Sequence, residues 1–420
     1  MTQAQAVALS RRRIAPISLA ALIFALFAMS VSMSFVFAVL PPIGRDLGLS
    51  ELQLGLIVSP AALVFVLANG FWGSASERLG RKPVILIAIG AAALATLVFG
   101  WVVGARQAAA ISSTATFLLL AGCRIALGAL AGGLMPAAQA FVADRTSSKD
   151  RTATIAVTGA GFALGMIMGP GVAAATSGLG ATAPFYIVGT LAALAAIVVS
   201  FVLSEPRHER SHRAAVVGKT EFGRVWAMLA VIVLAFTSYG ILLQVTGFRM
   251  QDQFGLSGTE AAQRAGIALM VAAAGLVVTQ IVIARLHVLA KRGEQVLAIG
   301  TIVMLCGMGA LALVTAYPAQ LIAMGAFGIG MGLVLPTALG LLTVVAELAG
   351  DQGRVGGWSG AAQGLGLVFG PLAGAAVYRL GPAAPYAVGF ALLLTAAVLA
   401  ALVAPRAMRL QRAQLQEQIG

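Results

Sequence analysis

Residues 152–204 read TATIAVTGAGFALGMIMGPGVAAATSGLGATAPFYIVGTLAALAAIVVSFVLS, without one charged side chain. A helix crosses the hydrocarbon core of a bilayer in about 20 residues, so this stretch is long enough for two crossings. The turn between them falls at Gly178 to Pro184. The rest of the chain follows the same design. Further charge-free stretches run 14–44, 52–76, 83–105, 225–248, 265–284, 295–346, 355–378 and 380–405, and 107–143 carries a single charge, Arg124. The stretch 295–346 again holds two crossings, turning at Tyr317-Pro318. The pattern predicts an all-α integral membrane protein with twelve transmembrane helices. A β-barrel is excluded, because the runs are continuous rather than alternating and are rich in Leu, Ala and Gly.

Composition agrees. Of 420 residues, 60% are apolar and 10% charged, against about 25% charged in a soluble domain. A mean hydropathy of +0.97 excludes a soluble globular chain, a disordered one, and a single anchor with a soluble head. Cys123 and Cys306 both lie in apolar runs, so neither a disulfide framework nor a cysteine-based zinc site is expected. The first apolar run is too long for a cleavable signal and precedes no polar mature domain.

The net charge of +13 is explained by topology rather than by nucleic acid. With an even number of spans both termini share a side, and that side collects 21 of the 27 Lys and Arg residues. They include Arg11–Arg13, Arg78, Arg81, Lys82, Arg145, the cluster 207–224, Arg285, Lys291, Arg292 and the C-terminal arginines; the opposite side holds Arg45, Arg106, Arg249, Arg264 and Arg379. This asymmetry places both termini in the cytoplasm of a bacterial-type inner membrane.

The polar segment 205–224 divides the chain into six spans and six, and the halves repeat. Gly165, Gly169, Pro170, Leu179, Gly180 and Pro184 recur 201 positions later as Gly366, Gly370, Pro371, Leu380, Gly381 and Pro385. Gly128, Gly132 and Pro136 recur 200 positions later as Gly328, Gly332 and Pro336. The expected organisation is an N-terminal six-helix bundle over 1–204, a cytoplasmic linker over 205–224, a C-terminal six-helix bundle over 225–405 and a cytoplasmic tail over 406–420. Such a repeat places a solute site at the midplane.

Motifs narrow the reading. Gly73-Ser-Ala-Ser-Glu77-Arg78-Leu79-Gly80-Arg81-Lys82-Pro83 resembles the signature loop of the major facilitator superfamily, with Glu77 in place of its usual Asp. Leu40-Pro41-Pro42 through Asp46 to Ser50 is similar to that superfamily's first outer loop. Arg124 matches the intramembrane arginine of its drug:proton antiporters, and Gly165-Met-Ile-Met-Gly169-Pro170 resembles the antiporter motif of its exporters. Ala173, Ala174 and Ala156 depart from the usual glycines of that motif. The resemblance covers the whole chain. It implies a secondary transporter working by alternating access, a proton-coupled efflux antiporter for drug-like or siderophore-like amphipathic molecules. Gly73, Glu77, Arg78, Gly80, Arg81 and Lys82 are then a charge latch in the cytoplasmic loop, with Gly165, Gly169 and Pro170 shaping the gate. A proton-coupled importer, or a non-transporting membrane receptor, are the alternative readings.

A charge inside the bilayer is costly, which makes Arg124 a functional candidate. All 14 carboxylates fall in or near loops, so proton coupling falls to a peripheral acid such as Asp46, with Arg124 modulating it. A pocket containing Arg124 suits a neutral, zwitterionic or anionic amphiphile. The superfamily's cavity walls, the first, fourth, seventh and tenth spans, offer Ser30, Ser34, Phe37, Gln139, Tyr239, Gln244 and Thr337, with Asn69 and Gln363 as further candidates. No arrangement of catalytic residues, no metal ligand set, no cofactor motif and no nucleotide-binding Gly-x-x-x-x-Gly-Lys is recognised, so the chain is not expected to be an enzyme. The expected partners are a small-molecule substrate, protons and the lipid bilayer, without nucleic acid, and the expected state is a monomer.

Overall fold

The computed structural model describes residues 14–146, 148–205, 222–286, 288–349 and 352–419. The linker over 205–224 and the tail over 406–420 therefore fall largely outside it as far as side chains are concerned, although backbone helix runs to Ile419. Among the described residues, twelve helices are long and apolar enough to span a membrane. In hydrocarbon every backbone N–H and C=O must be satisfied within the segment, and helix does this wherever the chargeless runs allow it.

The links between spans are short and written in local chemistry. The first span, Pro16–Asp46, ends at Gly48 with φ 83°. The second, Glu51–Leu79, opens on a capping box in which Ser50 accepts from the Gln53 N–H and the Gln53 side chain accepts from the Ser50 N–H. It ends at Gly80, φ 99°, and the third, Arg81–Gln107, starts at the next residue. The fourth, Ser113–Arg145, is capped by Ser112 and interrupted at Gly132-Gly133. The fifth, Ala153–Leu179, finishes in a 3-10 turn at Ser177–Leu179 followed by Gly180 with φ 122°. The sixth is Ala183–Val202.

The remaining six are Val225–Phe254, Gly258–Arg285, Gly293–Leu313, Tyr317–Thr343, Arg354–Leu380 and Ala384–Leu402. The eleventh closes in a 3-10 turn at Tyr378–Leu380 followed by Gly381 with φ 134°, the same device 201 positions after the first.

The chain divides into two compact units: residues 1–211 with 256–266, and residues 212–255 with 267–420. Thus the opening turns of the eighth span belong to the first unit. In the first unit, span one packs on five, two on four, and three on six. Its core runs from Leu22, Leu26 and Met29 through Val84, Ile85 and Ile89 to Phe141 and Val199. In the second unit, span seven packs on eleven and twelve, and nine on ten and twelve.

Glycine makes the tightest of these contacts possible. A Cβ on Gly165 would overlap the Phe27 carbonyl, and one on Gly128 the Ala61 carbonyl. Their repeat partners behave alike: a Cβ on Gly366 would overlap Phe236, and one on Gly328 the Ala272 carbonyl. Small residues at helix crossings are how membrane helices approach when no hydrophobic drive exists between them. The spacing noticed in sequence is therefore a packing code shared by both units.

Candidate functional site

The loop between spans two and three is a polar knot built on the Gly80 turn. Two helices meeting at one residue leave the first N–H groups of the third span without partners. The Glu205 carboxylate takes them, accepting from the Arg81 N–H at 2.6 Å and the Lys82 N–H at 2.8 Å. A side chain on Gly80 would press against that carboxylate, and φ 99° disfavours one anyway. The Arg81 guanidinium donates to Ser76 Oγ at 2.6 Å and to Asp144 Oδ2 at 3.2 Å. Lys82 Nζ donates to the Ser200 carbonyl, and Arg145 to Ser204. The loop thus ties together neighbouring ends of spans two, three, four and six. Arg81, Lys82 and Gly80 are central to it. Glu77 and Arg78 are exposed, and Gly73 has open space around its Cα. Asp144 and Glu205 are the acids that engage the motif, and both are distant from it in sequence; Ser76 lies inside it.

The antiporter-like segment of span five lies on span one. Ser30 Oγ donates to the Phe162 carbonyl at 2.6 Å, and Ser34 Oγ donates to the Ser30 carbonyl at 2.9 Å and reaches the Gly165 carbonyl at 3.3 Å. Gly169 has no room for a Cβ beside Ser34 and Phe35. The Pro170 carbonyl and Ala174 are pressed by Gly266, within the first unit. The hydroxyls of Ser30 and Ser34 are thereby used in helix–helix bonds, and Phe37 is half-buried on the same helix.

Arg124 is 7% exposed. Its guanidinium reaches the Met33 carbonyl at 3.5 Å, a weak contact. It borders a void of only about 10 Å³ with Ser32, Phe35, Val36, Ala95, Thr96, Phe99 and Leu127. No carboxylate is among them.

A larger cavity of about 360 Å³ opens elsewhere in the first unit, between spans one, two, four and five. Its walls are Leu26, Met29, Met33, Phe65, Ala131, Leu134, Met135, Pro136 and Phe162, with Asn69 and Gln139 as the polar side chains. Neither amide takes part in a hydrogen bond among the described residues. Arg124 is not part of this lining; it borders the small void against spans one and three instead. The methionines were not singled out from sequence, since Met at helical spacing reads equally well as core.

At the end of span one, Asp46 Oδ2 accepts the Gly258 N–H at 2.7 Å and so caps the eighth span. Beside it lies a polar cavity of about 400 Å³ lined by Ile43, Asp46, Leu47, Arg106, Gln107, Ala181 and Thr259. Arg106 Nε donates to the Leu47 carbonyl at 3.1 Å.

In the second unit, Tyr239 stacks on Phe327 with centroids 6.2 Å apart. Thr337 Oγ1 donates back to the Leu333 carbonyl, and Gln363 to the Ser359 carbonyl at 3.3 Å. Gln244 is fully buried, and neither of its amide atoms has a hydrogen-bond partner among the described residues. Such an orphan costs about 1–3 kcal/mol per group. Among the described residues no cluster of metal-ligating side chains is present.

The Major Facilitator Superfamily profile matches residues 22–351; the chain belongs to that superfamily of membrane transporters. It is 26% identical over 380 residues to multidrug resistance protein 1 of Bacillus subtilis strain 168, covering 87% of this chain and 90% of that one. The quinolone resistance protein NorA of Staphylococcus aureus is 28% identical over 186 residues, 44% of this chain and 45% of its own length. Among solved structures, a bacterial homologue of the human lysosomal transporter Spinster superposes with a TM-score of 0.71 at 18% identity, over 96% of this chain and 98% of that one. The human organic anion transporter MFSD10 gives 0.63 at 18% identity, over 92% and 100%. At that identity these two likenesses speak for the fold.

Proposed function

We propose that this transporter is a proton-coupled exporter of small, amphipathic, uncharged or weakly charged molecules, acting as a monomer in the inner membrane with both termini cytoplasmic. The observation that carries the substrate class is the 360 Å³ cavity: apolar and methionine-rich, with two unengaged amides and no ionisable side chain in its lining. Ligand sites of this kind gain affinity from apolar area and orientation from a few polar groups. Thioether side chains adapt to ligands of differing shape. The relatives named for multidrug and quinolone resistance support the direction and breadth. A permanent cation would lose its hydration in this cavity without a counter-charge. Gln244 is a separate buried polar group of the second unit, its amide without a hydrogen-bond partner among the described residues.

Coupling follows from Asp46. Ionised, it accepts the Gly258 N–H and favours the positive end of the eighth span. A proton arriving from outside removes that charge and weakens the cap. Arg124, whose one hydrogen-bond partner among the described residues is the Met33 carbonyl, contributes a fixed positive potential inside the same unit. The cytoplasmic knot at Arg81, Asp144 and Glu205 holds the motif loop against the ends of four spans, with Glu77 and Arg78 left exposed for a second conformation.

The test is uptake of an uncharged fluorescent amphiphile into everted vesicles, whose lumen corresponds to the cell exterior. Gln139→Leu and Asn69→Leu should each change KM or the substrate range by about tenfold, with expression intact. Unchanged KM and range in both variants would remove the cavity from the account.

A further inference from the structure

The two wall helices of the ninth and twelfth spans leave a groove at one end of the second unit, separate from every site above. It encloses about 370 Å³ and is lined by Leu297, Ala298, Thr301 and Ile302 on one side and Ala397, Ala400 and Ala401 on the other, with Glu294 and Gln295 at its end. Alanines make the trough, since larger residues there would fill it. Ile302 is 55% exposed, and the neighbouring Val398 and Leu402 are exposed as well. In a membrane transporter such a face lies against lipid. Thr301 presents no free hydroxyl, because its Oγ1 donates to the Leu297 carbonyl.

Glu294 sits in the second residue of the ninth span, and Ala401 in the last turn of the twelfth. The groove therefore begins at headgroup depth and runs into the acyl region. A carboxylate at that depth is unusual against lipid, and it is half-buried. Most other described acids are matched: Asp46 to Gly258, Glu51 to Arg45, Asp144 to Arg81, Glu205 to Arg81 and Lys82, Asp252 to Tyr378, Glu260 to Ser257. Glu294 has no hydrogen-bond or ion-pair partner among the described residues. Nor does the helix dipole account for it. The backbone helix starts at Val288, so Glu294 is in its second turn, beyond the reach of the N-terminal charge.

We infer that this groove is a binding site for a zwitterionic phospholipid bearing a primary ammonium. One acyl chain occupies the alanine trough. The ammonium donates to the Glu294 carboxylate, a charge-assisted bond at partly desolvated depth. An anionic headgroup has no cation to offer Glu294 and is repelled by it. A trimethylated headgroup carries the charge but no N–H donor. The site thus selects on headgroup chemistry, while the trough supplies chain-independent affinity.

The experiment is native mass spectrometry of the purified full chain with phosphatidylethanolamine, phosphatidylcholine or phosphatidylglycerol titrated into detergent. The wild type should retain phosphatidylethanolamine about tenfold more tightly than the other two. Glu294→Gln should remove that preference while leaving general lipid retention. Ala401→Leu, on the exposed rim of the trough, should lower retention of all three. Equal retention of the three lipids by the wild type, or an undiminished preference in Glu294→Gln, would overturn the proposal. Should Glu294→Gln fail to yield folded protein, Ala401→Leu and the wild-type headgroup preference still decide it, and an Ala401→Leu chain with wild-type retention counts against the site.

Discussion

The two units share a glycine scaffold but not the chemistry mounted on it. Gly128 and Gly328 each bring the middle of a span against a backbone carbonyl of a neighbour. Gly180 and Gly381 end equivalent 3-10 turns. Yet the position 200 residues after Arg124 is Met324, buried at 1% exposure. The first unit places an uncompensated cation where the second places a thioether. The first unit also holds the 360 Å³ cavity and the Asp46 cap, whereas the second stacks Tyr239 on Phe327 and ties the end of span seven with Arg249. That arginine donates to the carbonyls of Leu311 and Val314 and to Gln253 Oε1, and lies over the Tyr386 ring. Repetition has preserved how helices touch, while charge has been distributed unequally. Packing is a requirement of both halves, and the polar groups are where they differ.

The comparison breaks most severely at the shared scaffold. Gly128→Leu and Gly328→Leu should each cost about 1–3 kcal/mol or more through overpacking. Both should lose folded protein to a similar degree, as read by size-exclusion yield and melting temperature; a large difference between them would mean that the units do not use the repeat alike. Next comes the asymmetry itself. Arg124→Met copies the second unit's residue into the first. Removing a buried, unpaired charge should hold or raise thermal stability. Transport should nevertheless fall by about tenfold or more. A drop in stability with transport preserved would make Arg124 structural. The smallest effect is expected at the loop: Glu205→Gln keeps an acceptor but loses its charge, and should cost about 1 kcal/mol through weaker capping of the third span. Differential scanning fluorimetry measures it, and the same substitution should leave the second unit's local stability, read by hydrogen exchange, unchanged.

Much of the fold was written openly in the chain. The chargeless runs announce the spans, because hydrocarbon tolerates few charges, and the glycine–proline repeat announces the internal symmetry. The candidate site was less legible. Gln139 and Asn69 line the 360 Å³ cavity. Met29, Met33 and Met135 join them, but a methionine in a membrane helix gives no sign of whether it faces a neighbour or a void. Arg124 was visible as an anomaly, whereas the direction of its guanidinium depends on the rotation of the fourth span against the first and third. Ser30 and Ser34 illustrate the same point, since a hydroxyl on a wall helix serves a cavity or a neighbouring carbonyl according to a few degrees of helix rotation. Asp144 and Glu205 are far in sequence from the loop they hold, and only the packing of four helix ends brings them to Arg81.

The central claim is that substrate moves outward in exchange for protons. Purified protein in liposomes with an acidic lumen, loaded with a pH-sensitive dye, tests it directly. Adding substrate outside should raise luminal pH as substrate enters and protons leave, and Asp46→Asn should abolish the change. A luminal pH indifferent to substrate, or one that falls when substrate is added, would contradict it.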